Sequence, residues 1–264
     1  MADGLQNKNL TFRIIPRLEI KNQHLVKGVN LEGLRIIGDP IEFTKEYYRF
    51  CADEIFFQDI VASLYKRNSL TNIINNVASN IFIPLTVGGG IKSINMIEDV
   101  LDNGADKVSI NSHAFRDKNF LSNCVKVFGS STINCTVEIN KIDDNFYVFY
   151  DNGRSNPKIK VLDWINYIQD QGIGEISIIS IRNEGTRKGI DEELIEFILK
   201  TIKIPVLYNG GVSSVKDVMR LYDYGFNGAL ISSYFHFNIN KNFNKFDSIN
   251  LIELKKQLNK NGYF

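Results

Sequence analysis

The sequence has little of what several specialised protein classes require. Among its 264 residues are only three cysteines, Cys51, Cys124 and Cys135, a scattered set that argues against a disulfide framework and indicates thiols of a reducing compartment. No apolar run approaches 18 residues, so we expect no membrane-spanning helix. The 31 basic and 30 acidic side chains leave a net charge of +1, without the basic excess that nucleic acid or anionic lipid favours. We therefore expect a cytoplasmic protein with neither a nucleic-acid nor a membrane partner.

The residues for metal and covalent chemistry are also missing. The three histidines, His24, His113 and His236, are far apart and lack the spacing of metal ligands. No Ser/His/Asp or Cys/His context resembles that of a catalytic nucleophile. We expect no metal and no cofactor. Residues 1–11 are polar, without the apolar segment of a secretory signal, and are predicted to be an extension before one domain at 12–264.

What is present is a regular alternation of short apolar runs and longer segments of helical period. The runs predict eight strands, at 13–20, 54–61, 81–87, 107–111, 132–139, 175–181, 204–208 and 229–233. Eight strand–helix units over this length predict an α/β fold, a single (βα)8 TIM barrel. A doubly wound open sheet is the alternative, but it would carry one early glycine-rich turn and not glycine signals in both halves.

An internal repeat divides the chain into two halves. Ile83-Pro84 and Gly89-Gly90 recur as Ile204-Pro205 and Gly210-Gly211, at an offset of 121 residues. A period near half the chain predicts a barrel built from two half-barrel repeats. The alternative is that any two strand–helix units resemble each other.

Glycines follow a buried strand in each half, and the next strand ends in small polar residues. Glycine there lets the backbone approach a ligand closely, and nearby amide groups can hold a phosphate. The polar residues are Ser109, Asn111 and Ser112 in one half and Ser232 and Ser233 in the other. Two equivalent sites predict an elongated ligand with a phosphate at each end. The simpler alternative is that these glycines only permit tight turns.

Carboxylates end the first and fifth strands, which face each other across a barrel. Glu19 and Glu138 are therefore predicted to be a general acid–base pair between the phosphate sites. Asp59, at the end of the second strand, is a third candidate. Lys27 is predicted to lie in the loop after the first strand, where a lysine binds phosphate or is merely solvated. Taken singly, each carboxylate also fits a surface or salt-bridge role.

Charges of alternating sign stand at the starts of four strands, at Arg13, Glu54, Lys107 and Glu175. By position alone they predict a salt-bridge ring that stabilises the bottom of the barrel, since that face is usually associated with stability.

Together these residues resemble the cyclase subunit of imidazole glycerol phosphate synthase, from histidine biosynthesis, over about residues 12–237. The motifs that carry the resemblance are Arg13-Ile14-Ile15-Pro16-Arg17-Leu18-Glu19, Val26-Lys27-Gly28-Val29-Asn30, Gly38-Asp39-Pro40, Ala52-Asp53-Glu54, Pro84-Leu85-Thr86-Val87-Gly88-Gly89-Gly90-Ile91, Gly104-Ala105-Asp106-Lys107-Val108-Ser109-Ile110-Asn111-Ser112, Glu184-Gly185-Thr186 and Phe235-His236-Phe237.

The resemblance implies a barrel that binds a bis-phosphorylated ribulosyl aminoimidazole carboxamide ribotide. Ammonia from a partner glutaminase, bound as a heterodimer at the bottom face, cleaves this substrate and closes an imidazole ring. The implied residues are the general base Glu19 and general acid Glu138; substrate contacts at Lys27, Asp59, Asn111 and Glu184; phosphate contacts at Gly90, Ser109, Gly185, Gly211, Ser232 and Ser233; an ammonia gate at Arg13, Glu54, Lys107 and Glu175; and a glutaminase contact at Asp106.

The chain departs from the family at its carboxylates. The family has aspartate at the positions of Glu19 and Glu138, aspartates at those of Arg182 and Glu184, and threonine at that of Ile179. One extra methylene moves a carboxylate by roughly 1 Å, and a misplacement of that size costs about 10²-fold in rate.

Two hypotheses follow. The first is the cyclase, which the kept Lys27, Asp59, Asn111 and both glycine sites favour. The second, which the double change from aspartate to glutamate favours, is a family paralogue in surface-polysaccharide or nonulosonic-acid biosynthesis. It would activate a glutaminase and channel ammonia to a sugar amidotransferase. The related sugar-isomerase barrel of the same pathway is disfavoured, because the gate residues have no role there.

Overall fold

A computed structural model describes residues 11–61, 70–239 and 248–263. The predicted extension at 1–11 falls almost wholly outside these residues, and it stays a prediction. The strands are β1 (Arg13–Lys21), β2 (His24–Val29), β3 (Glu32–Gly38), β4 (Ile55–Asp59), β5 (Leu85–Gly88), β6 (Lys107–Ile110), β7 (Ile133–Ile142), β8 (Asn145–Phe149), β9 (Glu175–Ser180), β10 (Val206–Asn209) and β11 (Gly228–Ile231). The helices are α1 (Pro40–Arg49), α2 (Thr71–Ala78), α3 (Ile94–Asp102), α4 (Phe120–Phe128), α5 (Val161–Asp170), α6 (Glu192–Ile198), α7 (Val215–Asp223), α8 (Ser233–Ile239) and α9 (Leu251–Lys260).

Eight of the strands form a closed parallel barrel. Their order is β1, β4, β5, β6, β7, β9, β10 and β11, and β11 pairs back to β1. Helices follow the strands along the chain and cover the outside of the barrel, which confirms the predicted (βα)8 fold. Among the described residues, no helix combines the length and the apolar character that crossing a membrane requires.

Two strands begin at least two residues later than the apolar runs predict, and a proline stands directly before each. Runs at 81–87 and 204–208 suggest strands from Ile81 and Ile204, but β5 and β10 begin directly after Pro84 and Pro205. A proline has no N–H to give to a ladder. Each proline still accepts through its carbonyl, from Ile55 N at 2.9 Å and from Ile176 N at 2.9 Å.

Each half carries antiparallel strands in addition to the barrel. The antiparallel strands β2 and β3 extend β1, and β8 extends β7 in the other half. Lys27 lies on β2, so the prediction that it lies in a loop is wrong. The cause is that β1 and β2 continue to pair beyond the barrel rim, with Glu19 opposite Val26.

The helices are held by matched caps and by a continuous apolar layer. Ser93 and Ser214, at the repeat offset, accept from Met96 N at 3.3 Å and Asp217 N at 3.1 Å and so begin α3 and α7. Such a cap contributes about 1 kcal/mol. Inside the barrel a separate apolar group fills one side: Ile15, Phe56, Leu207 and Leu230, each at most 1% exposed.

Candidate functional site

Four charged side chains are buried together at the mouth of the barrel, where the strands end. They are Arg17, Glu19, Lys27 and Glu184, each at most 5% exposed, and we call them the mouth cluster. Lys27 Nζ lies 2.9 Å from Glu19 Oε1 and 3.0 Å from Oε2, and it also donates to Glu184 Oε1. Arg17 donates to Glu19 Oε1 and lies 3.8 Å from Glu184 Oε1. Two cations thus face two carboxyl groups.

The charges of the mouth cluster decide its protonation. Burial raises the pKa of Glu19, but attraction to Lys27 and Arg17 is stronger in sum and lowers that pKa to about 2. Burial lowers the pKa of Lys27, and attraction to Glu184 and Glu19 reverses this, so the net change is upward. Burial raises the pKa of Glu184, although Lys27 opposes the rise. Glu19 is therefore a fixed carboxylate at neutral pH.

A neutral histidine supports the mouth cluster from the helix side. Burial, together with the positive charge of Lys27, lowers the pKa of His236 to about 3. The neutral ring hydrogen-bonds to Arg17 O through Nε2 at 3.0 Å, and its Nδ1 is bonded to the Tyr47 hydroxyl. Since the carbonyl only accepts, Nε2 carries the hydrogen and Nδ1 accepts from Tyr47. The Phe235-His236-Phe237 motif thereby fixes the strand that carries Glu19.

Glu138 has the opposite environment. Its Oε2 accepts from Gly153 N at 2.7 Å, and burial raises its pKa to about 7, with that hydrogen bond offsetting part of the rise. Two carboxyl groups whose pKa values are pushed apart are the usual arrangement of an acid–base pair. Glu138 also lines a cavity of about 210 Å³, whereas Glu19 is not part of the described cavity wall.

The first predicted phosphate site lies in this cavity. Asp59, Gly90 and Asn111 line it. Only glycine fits at position 89, because φ of Gly89 is +111° and a Cβ there would lie 2.2 Å from Asp59 O. Ser109 also reaches the wall, but its hydroxyl already bonds within the barrel, as described below. The structure therefore brings together one carboxylate, one amide and a glycine turn at this side of the mouth.

The second predicted phosphate site is a separate, smaller hollow. Its lining includes Glu184, Gly185, Gly211, Ser232 and Ser233. Ser232 Oγ is buried with no hydrogen-bond partner among the described residues. At Gly185, φ is +73° and a Cβ would lie 2.3 Å from Gly28 O, so only glycine lets this loop pass under β2. Glu184 belongs both to this hollow and to the mouth cluster.

At the opposite end of the barrel, the four charges predicted to form a ring do so. Arg13 Nη1 lies 2.6 Å from Glu54 Oε2, and Arg13 also pairs with Glu175. Lys107 Nζ closes the ring at 3.1 Å from Glu54 and 3.7 Å from Glu175. Asp106 is exposed beside it, and its Oδ2 accepts from Leu85 N at 2.8 Å, which caps the start of β5.

A line of buried polar side chains runs from this ring as far as Thr136, on the strand that bears Glu138. Asn134 Nδ2 donates to Glu175 Oε2 at 3.2 Å, and Ser109 Oγ donates to Asn134 Oδ1 at 2.8 Å. Ser109 Oγ then lies 2.6 Å from Thr136 Oγ1, and Thr136 is two residues before Glu138 on the same face of β7. The opposite side of the barrel interior is the apolar group described above.

Sequence reasoning missed Arg17 and, within this polar line, Asn134 and Thr136. Arg17 could have been predicted from the sequence, because a residue two positions before Glu19 on a strand points to the same face. Asn134 and Thr136 precede Glu138 on β7 with the same spacing. Arg182, at a position where the resemblance implies an aspartate, donates through Nε to Asp191 Oδ2 at 2.6 Å. In the described part of the chain, no three His, Cys, Asp or Glu side chains are arranged to hold a metal ion.

Comparisons with known proteins place these features in a family. The family described as "Histidine biosynthesis protein" matches residues 13–241. The chain is similar to proteins named imidazole glycerol phosphate synthase subunit HisF. One from Legionella pneumophila is 43% identical over 206 residues, 78% of this chain and 97% of the relative. One from Sulfolobus acidocaldarius is 39% identical over 250 residues, 95% and 96% of the two chains. One from Natranaerobius thermophilus is 37% identical over 254 residues, 96% and 98%.

Proposed function

The chain belongs to the histidine biosynthesis protein family, and we propose that it is the cyclase subunit of an imidazole glycerol phosphate synthase. It is then an enzyme of the lyase/cyclase type. Its substrate is the bis-phosphorylated ribulosyl aminoimidazole carboxamide ribotide. Ammonia from a glutaminase cleaves this substrate and closes the ring, which gives imidazole glycerol phosphate and the aminoimidazole carboxamide ribotide.

The observation that carries the proposal is the polar line through the barrel. It runs from the charge ring at the strand starts, through Asn134 and Ser109, to the strand that bears Glu138. Ammonia is a small donor and acceptor, and such side chains can replace its hydration as it passes. A glutaminase that docks over the ring, near the exposed Asp106, would therefore deliver ammonia to the acid group at the other end.

Glu138 is the general acid in this scheme. A carboxyl group with a pKa of about 7 is half protonated near neutral pH, where proton transfer is most effective. It lies in the wall of the cavity, so a leaving group held there can receive its proton.

Glu19 is the general base, and Lys27 controls it. In the mouth cluster Arg17 bonds only Oε1 of Glu19, while Lys27 bonds both Oε1 and Oε2. A substrate phosphate that draws Lys27 away frees Oε2 to accept a proton. Phosphate is a strong competitor for a lysine ammonium group. In this proposal one phosphate is held at Gly90, and the other at Gly185 and Gly211 with Ser232 and Ser233.

Turnover of the ribulosyl ribotide by the purified chain, with excess ammonium salt near neutral pH, tests the proposal directly. Added ammonia removes any dependence on the glutaminase. We expect substrate loss with formation of imidazole glycerol phosphate, abolished by Glu138→Ala and retained in Asp144→Asn, a carboxylate change on the exposed turn after β7. A folded wild-type protein without turnover would sink the cyclase assignment.

The mouth cluster favours a second candidate. Both oxygens of Glu19 are engaged by cations and its pKa is about 2, which is poor for a base unless substrate rearranges the site. In that case the chain would activate a glutaminase and pass ammonia to a sugar amidotransferase. The double variant Glu19→Asp with Glu138→Asp separates the two: gain of cyclase turnover only in the variant supports the ammonia-delivery role.

A further inference from the structure

A strained turn projects over the mouth of the barrel, close to Glu138. Three consecutive residues, Asp151, Asn152 and Gly153, have φ values of +54°, +59° and +76°. The left-handed region is uncommon for residues other than glycine, so two such residues in a row need support from their surroundings. The ends of the turn are joined by Tyr150 N to Ser155 O at 3.0 Å and Ser155 N to Tyr150 O at 3.1 Å.

Contacts to three different elements hold this turn in place. Gly153 N donates to Glu138 Oε2 at 2.7 Å. Asp151 N donates to Ser112 Oγ at 3.1 Å. Asn152 Nδ2 donates to Leu31 O, between β2 and β3, at 3.2 Å. The position of Asp151 is therefore defined by β7, by the segment after β6 and by the β2–β3 hairpin together.

Only one of the two oxygens of the Asp151 carboxylate has a hydrogen-bond partner among the described residues. Its Oδ2 lies 3.3 Å from Arg116 Nη2, whereas its Oδ1 is buried and has no hydrogen-bond partner among the described residues. Asn111 Oδ1 is in the same condition, and both residues line the cavity. They belong to one wall, because Asp151 is bonded to Ser112, the residue next to Asn111. Buried acceptors are seldom left unpaired, so this wall is arranged for a ligand that donates hydrogen bonds.

The position of the two acceptors in the cavity indicates which group of a ligand donates hydrogen bonds to them. They stand beside the glycine turn at Gly90, in the same cavity, where the proposed function puts a substrate phosphate. In a sugar phosphate the atoms next to the phosphate carry hydroxyl groups, which donate hydrogen bonds. A carboxylate acceptor gives a stronger and more selective contact than a neutral one.

We propose that Asp151 and Asn111 form a hydroxyl-binding subsite that recognises the sugar chain next to a bound phosphate, and that Arg116 is a positioning residue which orients the Asp151 carboxylate. The inference rests on the proposed function for the phosphate at Gly90 and adds to it the group that distinguishes a sugar phosphate from phosphate alone. The like charge of Asp151 also faces Glu138 and raises its pKa, so the same side chain links substrate recognition to the acid.

Calorimetric titration of the full chain with imidazole glycerol phosphate and, separately, with inorganic phosphate tests the subsite. Asp151→Asn keeps the side-chain shape and tolerates the left-handed backbone. We expect it to weaken binding of the sugar phosphate roughly tenfold, the effect of losing a hydrogen bond to a charged group, and to leave inorganic phosphate unchanged. Asp144→Asn makes the same chemical change at an exposed position of the β7–β8 turn and should alter neither.

A second variant guards against misfolding of the first. The Arg116 side chain is 55% exposed, so Arg116→Gln should fold, release the carboxylate and weaken sugar-phosphate binding by a smaller factor, again without effect on inorganic phosphate. Equal affinities of wild type and both variants for the sugar phosphate would overturn the subsite alone. Equal losses for both ligands would show a general effect on the phosphate site and also overturn it. A wild-type chain that binds neither compound would overturn the proposed function together with the subsite.

Discussion

Glu19 and Glu138 occupy equivalent positions in the two half-barrels, yet their pKa values lie on opposite sides of the ordinary value. Glu19 pairs in register with Gln58, and Glu138 pairs with Ile179. Gln58 and Ile179 are themselves related by the 121-residue repeat. The difference arises from their neighbours. Glu19 faces Lys27 and Arg17, whereas Glu138 is buried against one backbone amide. The same position in the two half-barrels therefore carries carboxyl groups with very different pKa values, because their neighbours differ.

The pH dependence of turnover should follow the ionisation of Glu138. A general acid must be protonated, so the rate is expected to fall as pH rises through about 7, the pKa of Glu138. The measurement is the turnover of the ribulosyl ribotide from pH 6 to 9 with the concentration of free ammonia held constant. Asp151→Asn removes a like charge and should move this fall to lower pH. A rate that stays level across that range would contradict the role of Glu138.

Replacing Glu138 should stabilise the fold at alkaline pH while it removes activity. The pKa of Glu138 in the folded protein, about 7, lies above the ordinary glutamate value of 4.5. The contribution of its neutral carboxyl to folding stability is therefore complete below pH 4.5 and is lost as pH rises through 7. Glu138→Gln cannot ionise, and we expect it to unfold with a free energy about 3 kcal/mol higher than wild type at pH 9 and with little difference at pH 4. Urea unfolding at both pH values measures this, and a constant difference would refute it.

Removal of Glu19 should be strongly destabilising. Glu19→Gln leaves Lys27 and Arg17 buried with one carboxyl partner, and breaking a buried ion pair on one side costs about 3–5 kcal/mol. The paired change Glu19→Gln with Lys27→Met removes one charge of each sign and should cost less. Urea unfolding at pH 7 compares the two. If the single variant is as stable as the double variant, the mouth cluster does not hold the fold as described.

Disruption of the charge ring should lower turnover with glutamine but not turnover with ammonium salt. Lys107→Met removes one side of the ring, whose two contacts are at 3.1 Å and 3.7 Å. With a glutaminase present, we expect turnover with glutamine to fall by about tenfold, a typical coupling effect. Turnover with ammonium salt should change little, because the mouth is untouched. Equal losses with both nitrogen sources would place Lys107 in the chemistry or in folding instead.

Gly185 should be intolerant of a side chain. A Cβ there would lie 2.3 Å from Gly28 O on a backbone with φ of +73°, so Gly185→Ala must displace β2, which carries Lys27. We expect a loss of about 1–3 kcal/mol in the free energy of unfolding and weaker binding of imidazole glycerol phosphate. Gly262→Ala is the control, since φ there is +79° but nothing lies within 4 Å of a Cβ. Equal losses in both variants would assign the effect to backbone strain alone.

The repeat made the barrel and the charge ring predictable from sequence. Glu54 and Glu175 share the repeat offset and the start of a strand, and in a parallel barrel all strand starts meet at one end. Their contacts therefore follow from topology, without knowledge of any loop.

The mouth cluster was not predictable in the same way. Lys27 and Glu184 are 157 residues apart in sequence and meet only because β2 continues past the rim and Gly185 lets the opposite loop pass beneath it. Local patterns cannot report such an approach. Asp151 was equally hidden, since a left-handed aspartate has no sequence signature beyond the glycine that follows it two residues later.

Midway along the barrel, the apolar group of Ile15, Phe56, Leu207 and Leu230 fills one side of the interior, and Asn134 stands on the polar side. Hydroxyl groups can take up one proton and release another, but a carboxamide cannot do so without leaving its stable form. Asn134 therefore interrupts any proton wire between Glu175 and Glu138. Ammonia that passes along this side, as in the proposed function, would therefore meet no proton relay to Glu138.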